Sequence, residues 1–129
     1  MERRDFRDWI ERYEEAWREP GTQALAGLFA TDATYRTAPY EDPFEGLEAI
    51  EAMWEREREP DEAFEMSWEL LAVEERTGVV RVGVDYSSPA QQSYRDLWVI
   101  ELREDGRASS FEEWPFWPPG SKGEWPIKD

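Results

Sequence analysis

Residues 93–114 read SYRDLWVIELREDGRASSFEEW. Tyr94, Asp96, Trp98, Ile100 and Leu102 fall on alternate positions, the period of a strand with one buried face. Asp105-Gly106 then signals a hairpin, and residues 108–114 supply the returning strand. Working towards the N-terminus, residues 79–87 set Val80, Val82, Val84 and Tyr86 on one face against Val79, Arg81, Gly83 and Asp85 on the other. Residues 65–74 alternate too, with Met66, Trp68, Leu70 and Ala72 opposite Glu65, Ser67 and Glu69. Strands that follow one another through short turns pair side by side, so these four segments predict a mainly antiparallel sheet.

Ahead of the strands the period changes. Phe6, Trp9, Ile10, Tyr13 and Trp17 have the spacing of one helical face, with Asp5 as N-cap and Pro20-Gly21 as the stop. Thr22 is placed to cap a shorter helix carrying Leu25, Leu28 and Phe29, and residues 33–37 are β-prone. The run Ala38-Pro39-Tyr40-Glu41-Asp42-Pro43 forbids regular structure, because each proline restricts itself and its predecessor. Gly46 opens a third helix with Leu47, Ile50, Met53 and Trp54 on one side, closed by Pro60-Asp61. Three helices before four strands make an α+β fold in which helices cover one sheet face. Residues 1–116 form that domain; residues 117–129, rich in Pro and Trp, form a C-terminal strap. Its Trp117 and Trp125 dock either on their own domain or across a partner subunit, since disordered tails are poor in aromatics.

Composition narrows the chemistry. A chain of 129 residues makes one domain. Its formal charge of -16 repels phosphate backbones and anionic lipid, so neither nucleic acid nor membrane is an expected partner. The charge itself reads as a solvated acidic surface, or as adaptation to high salt. With no Cys and no His, disulfides, thiolate nucleophiles, imidazole bases and the usual zinc and copper sites are excluded, and no metal or cofactor is expected. Acid–base work falls to carboxylates, Tyr, Lys or water. No apolar run approaches the ~20 residues of a membrane span, and the expected location is the cytoplasm.

Four local signatures, in order, resemble the nuclear transport factor 2-like superfamily, in particular its SnoaL-like branch. They are Ile10-Glu11-Arg12-Tyr13, the run Leu28 to Tyr35, Gly46-Leu47-Glu48-Ala49-Ile50, and Asp105-Gly106-Arg107 leading to Phe111-Glu112-Glu113-Trp114. The resemblance covers about residues 6 to 116. It implies a strongly curved sheet wrapped around the long first helix, a cystatin-like α+β cone with a pocket open at one end, and often a homodimer. Members of that branch include ketosteroid isomerases, polyketide cyclases, limonene-type epoxide hydrolases, dehydratases and non-catalytic modules, so the fold alone assigns no activity.

Compared with the isomerases, Tyr13 falls on an oxyanion-stabilising tyrosine and Asp96 near a proton-donating acid, whereas Thr37 replaces the general-base carboxylate, which disfavours ketosteroid-type isomerisation. Compared with the epoxide hydrolases, Asp85 and Glu113 fall on the two carboxylates flanking water and Tyr35 on a water-binding tyrosine. Gly83 there replaces the arginine that bridges the carboxylates, and Thr37 an asparagine. Two nearby carboxylates without that guanidinium leave one holding its proton. Each residue also has a structural reading. Tyr13 fits a core position with its hydroxyl satisfied locally, and Asp85 fits a solvated strand edge. Asp96, a carboxylate in an otherwise apolar stripe, is either ion-paired to Arg36 or Arg81 or a pocket acid. Alternation sends one of Glu112 and Glu113 inward, and the company of Phe111 favours Glu113.

The expected pocket wall comprises Trp17, Phe29, Thr37, Trp54, Met66, Trp68, Trp98 and Phe111. Such flat side chains suit a small hydrophobic molecule. The sequence thus points to a cofactor-free lyase, hydrolase, isomerase or cyclase with Asp85, Asp96, Glu113, Tyr13 and Tyr35 as its acid–base groups. The alternative is a non-catalytic binding or homo-association module of the same fold.

Overall fold

The computed structural model describes residues 1–58 and 61–119. Helix α1 (Arg3–Arg18) is followed by the single turn α2 (Leu25–Leu28), strand β1 (Phe29–Arg36), the two-residue strand β2 (Phe44–Glu45) and helix α3 (Leu47–Glu57). Four long strands complete the chain: β3 (Ala63–Glu74), β4 (Thr77–Ser88), β5 (Gln92–Leu102) and β6 (Ala108–Phe116). They form one open, curved, six-stranded sheet in the order β2-β1-β6-β5-β4-β3. Every pairing is antiparallel except β1 with β6, which run parallel. This is the expected α+β cone, with β1 and β2 threaded between the helices and added to the four strands expected. Among the described residues no helix is long and apolar enough to cross a membrane.

Several local expectations shift by a few residues. The capping group of α1 is Glu2, whose N–H donates to the Asp5 carboxylate at 2.8 Å while the Asp5 N–H returns to the Glu2 carbonyl at 3.0 Å. Asp5 therefore sits one turn inside, where a carboxylate also suits the positive end of the helix. Phe29 leaves the helical stripe and begins β1 because its ring belongs to the sheet side of the core. Pro115 and Phe116, beyond the strand expected over residues 108–114, complete β6 at its very end, where a missing N–H is tolerated.

Helix α1 buries Phe6, Trp9, Ile10, Tyr13 and Ala16 against the concave face of the sheet. Trp9 is fully buried and donates its indole N–H to the Leu28 carbonyl at 2.9 Å, so its one polar atom is satisfied. Burying each such ring is worth about 1.5–3 kcal/mol. The approach is close enough to demand glycine on β4: a Cβ on Gly78 would lie 2.5 Å from the Phe6 ring. At the other end, Gly46 (φ +93°) turns the chain from β2 into α3 in a conformation that L side chains rarely adopt.

Arg58 ties these helix ends together. Its guanidinium donates to the carbonyls of Gly21 at 2.6 Å, Trp17 at 3.0 Å and Glu19, while lying 5.5 Å from the Trp54 ring. Beyond β6, Trp117 stacks on Tyr94 of its own chain with centroids 4.5 Å apart. Trp125 lies outside the described residues.

Candidate functional site

Because side chains alternate along strands, register decides which acids face the helices. On β5 the inward set is Tyr94, Asp96, Trp98, Ile100 and Leu102, all buried. On β6 the residue opposite Trp98 is Glu113 and the one opposite Ile100 is Phe111. Glu113 therefore points inward, whereas Glu112 points outward and accepts a hydrogen bond from the Trp114 indole. Asp96 is 2% exposed, and neither arginine considered for it is present. Arg36 donates to the Glu41 carbonyl, and Arg81 pairs with Glu69 at 3.1 Å. Instead the Trp98 indole donates to Asp96 Oδ2 at 2.8 Å, leaving Oδ1 without a donor.

A chain of hydroxyls leads to the same place. Tyr35 donates to Glu113 Oε2 at 3.0 Å, and its oxygen lies 2.7 Å from the Tyr13 hydroxyl. A phenol has one hydrogen, so with that of Tyr35 committed to Glu113, Tyr13 is the donor between the two tyrosines. Both hydroxyls are buried, and burial first, then the nearby Glu113 charge, push them well above the ordinary phenol range. They serve as donors and not as bases.

The two carboxyls are held above their ordinary values, chiefly by burial. Glu113 is raised furthest, because the neighbouring Asp96 charge repels its ionised form and its hydrogen bond to Asp96 favours the protonated one. Asp96 is raised less, being supported by Glu113, the Trp98 indole and the backbone N–H groups of Trp114 and Leu97. A proton on Glu113 would give Asp96 Oδ1 the donor it lacks, so the pair is suited to sharing one proton.

Glu113 opens onto a cavity of about 250 Å³. Tyr13 and Trp17 of α1, Tyr35 and Thr37 at the end of β1, and Met53 and Trp54 of α3 line it together with Tyr86, Tyr94 and the mouth residues Glu57, Arg58 and Glu62. At the mouth the Trp17 indole donates to Glu62 at 2.9 Å. A wider groove of about 700 Å³ shares Trp17, Arg58 and Glu62 with that mouth.

The structure brings together Tyr13, Tyr35, Asp96 and Glu113, and it places Asp85 elsewhere. Asp85 is exposed on the convex face, where Ser93 donates to it at 2.6 Å, so its assignment as a pocket acid is corrected. Its inward neighbours are Val84 and Tyr86, and Asp96 stands beside Glu113 in its stead. Gly83 shares that outer face, packed near Arg95 and Ser67, so the comparison based on a bridging arginine there does not reach the pocket. Of the expected wall, Trp17, Thr37 and Trp54 border the cavity. Phe29, Trp98 and Phe111 are buried in the core behind it, and Met66 and Trp68 pack against the core outside the lining. Tyr86, Tyr94 and Glu62 are lining residues that sequence reasoning did not single out; the tyrosines ending the two strand stripes were the available signal. Among the described residues no group of three acidic side chains is arranged to hold a metal ion.

No curated protein matches the sequence. Solved structures share the fold. A putative SnoaL-like polyketide cyclase from Shewanella denitrificans is 13% identical with a TM-score of 0.74, over 89% of this chain and 92% of that one. An LEH-like epoxide hydrolase from M. tuberculosis is 12% identical with a TM-score of 0.71, over 87% and 83%. A hypothetical protein of ketosteroid isomerase-like fold from Catenulispora acidiphila, solved in complex with trimethylamine, is 16% identical with a TM-score of 0.69, over 83% and 84%. The SnoaL-like domain family matches residues 10–111, most of the sequence and every structural element from the middle of α1 to the start of β6, and the chain belongs to that family.

Proposed function

We propose that the chain is a small-molecule pocket protein that performs cofactor-free general acid–base chemistry through the Asp96–Glu113 pair, in a hydration, hydrolysis, dehydration or cyclisation. The observation that supports this most directly is the series Tyr13, Tyr35, Glu113, Asp96, in which the half-buried Glu113, hydrogen-bonded by Tyr35, stands at the wall of a cavity in front of the buried Asp96. Two carboxyls of different proton affinity suffice for acid and base roles without a metal. Of the two, only Glu113 borders the cavity. In a hydrolysis its O–H gives the proton to the leaving oxygen of the substrate as water attacks the carbon, and the carboxylate so formed takes up the proton that the water loses. The pair ends as it began, with one proton. Asp96 holds the acid in place and keeps its proton available near neutrality, and Tyr35 fixes the orientation of the carboxyl. A cavity just below the usual range of about 300–1,000 Å³ for ligand sites fits only a compact substrate.

Carbon-detected NMR titration of the carboxyl groups tests this reading. The expected result is at least one inward carboxyl still protonated well above 4.5, the ordinary glutamate value. Ordinary titration of both Asp96 and Glu113 would overturn it.

A homodimer is part of the same proposal. On the convex face Leu97 lies opposite Trp114 and Val79 opposite Val99, with Trp114 40% and Phe116 54% exposed, an apolar strip in an otherwise charged surface. Light scattering should return twice the 15.3 kDa chain mass, and Trp114→Glu should return it once; a monomer before substitution removes the dimer.

A further inference from the structure

The reading above leaves the ligand's charge open, and the composition of the cavity wall speaks to it. Tyr13, Trp17, Tyr35, Trp54, Tyr86 and Tyr94 make the wall predominantly aromatic, and Glu57, Glu62 and Glu113 add three carboxyls. Among the described residues the one basic group there is Arg58, which donates to the carbonyls of Trp17, Glu19 and Gly21 and forms no ion pair with those acids. Behind Glu113, Asp96 is 2% exposed and its Oδ1 has no hydrogen-bond partner among the described residues.

A neutral hydrophobic guest would strip water from these carboxyls and return nothing to them. An anion would meet them, and the -16 charge of the whole chain, as repulsion. An organic cation meets both parts of the wall favourably: ring faces attract alkylated ammonium groups through their quadrupoles, and the carboxylates add direct attraction. We infer that the pocket selects a compact alkylated ammonium compound, with the aromatic wall around its alkyl groups and Glu113 as its counter-ion. The inference rests on the proposed site being the ligand site. It adds that when the cation enters, the shared proton passes from Glu113 to Asp96, so Glu113 meets the guest as a carboxylate and the pair keeps its one proton.

Calorimetric titration of the full chain with choline and with its uncharged carbon isostere, 3,3-dimethylbutan-1-ol, separates charge from shape. Choline should bind at least about tenfold more tightly, the size expected for a desolvated cation–aromatic contact. Glu113→Gln should weaken choline binding severalfold, leaving only the preference due to the aromatic wall, without changing the isostere's own affinity. Circular dichroism and a thermal melt of the variant verify that it is folded. Equal affinity for the two compounds, or a choline affinity unchanged by Glu113→Gln, overturns the inference, the second because Glu113 is then not the counter-ion. If neither compound binds, the inference also falls, and the carboxyl titration decides separately whether the acid–base site stands.

Discussion

Glu112 and Glu113 are adjacent in sequence and lie in opposite environments. Glu112 lies on the convex face, tied to the Trp114 indole, and Glu113 reaches through the concave face to Tyr35 and Asp96. Asp85 and Asp96 repeat the contrast on neighbouring strands: the first is exposed beside Ser93, and the second is 2% exposed beneath the Trp98 indole. Four carboxyls of two chemical types thus divide by strand parity alone. Only the inward two meet a medium that makes ionisation costly, so only they are suited to hold a proton near neutrality.

The widest gap between the faces should appear in stability. Phe111→Ala empties a fully enclosed site that touches Trp9, Tyr13, Tyr35 and Trp98, and should cost about 3–5 kcal/mol in urea unfolding. Trp114→Ala, three residues along on the outer face, should cost a small fraction of that when measured on the monomer. Comparable losses would erase the distinction.

The pH dependence of stability gives a smaller and more specific contrast. Glu113 and Asp96 have folded-state values raised above their unfolded ones, so their contribution is fully present below the ordinary carboxyl range and is lost as pH rises through the folded value. Stability should therefore fall on going up from pH 4.5, by about 1.4 kcal/mol per pH unit for each proton that the folded state retains and the unfolded state has lost. Glu113→Gln should flatten that slope, whereas Asp85→Asn should leave it as in the parent. A slope unchanged by Glu113→Gln would place the retained proton elsewhere.

The smallest effect expected is that of Tyr35→Phe. It removes the hydroxyl between Tyr13 and Glu113, which should cost about 1–2 kcal/mol for the partners left unsatisfied in the interior. The Tyr35 hydrogen bond favours the ionised form of Glu113, so its loss should move the Glu113 midpoint further upward, visible in the same carboxyl titration. A downward movement would contradict the donor assignment.

How much of this was legible in the residues follows from the range of the forces involved. The anomaly of Asp96 in an apolar stripe and the alternation around Phe111 are local patterns, and they led to two of the acids. Asp85 alternates with Val80, Val82, Val84 and Tyr86, so the period of its own strand puts it on the outer face, against what the resemblance to the epoxide hydrolases implies. Strand β2 has two residues and so no period to detect. The parallel pairing of β1 with β6 joins segments about 75 residues apart, which no window along the chain reports. Tyr86 and Tyr94 meet at the cavity only because the curvature of the sheet brings the ends of β4 and β5 under α3.

That long-distance pairing has a consequence for how the molecule is made. Strand β6 is the seam between two partial sheets, β1 with β2 on one side and β3 to β5 on the other, and among the described strands it leaves the ribosome last. It also carries Glu113. A nascent chain that stops short of residue 108 has neither a continuous sheet nor Glu113, so closure of the sheet and arrival of that carboxyl are a single event.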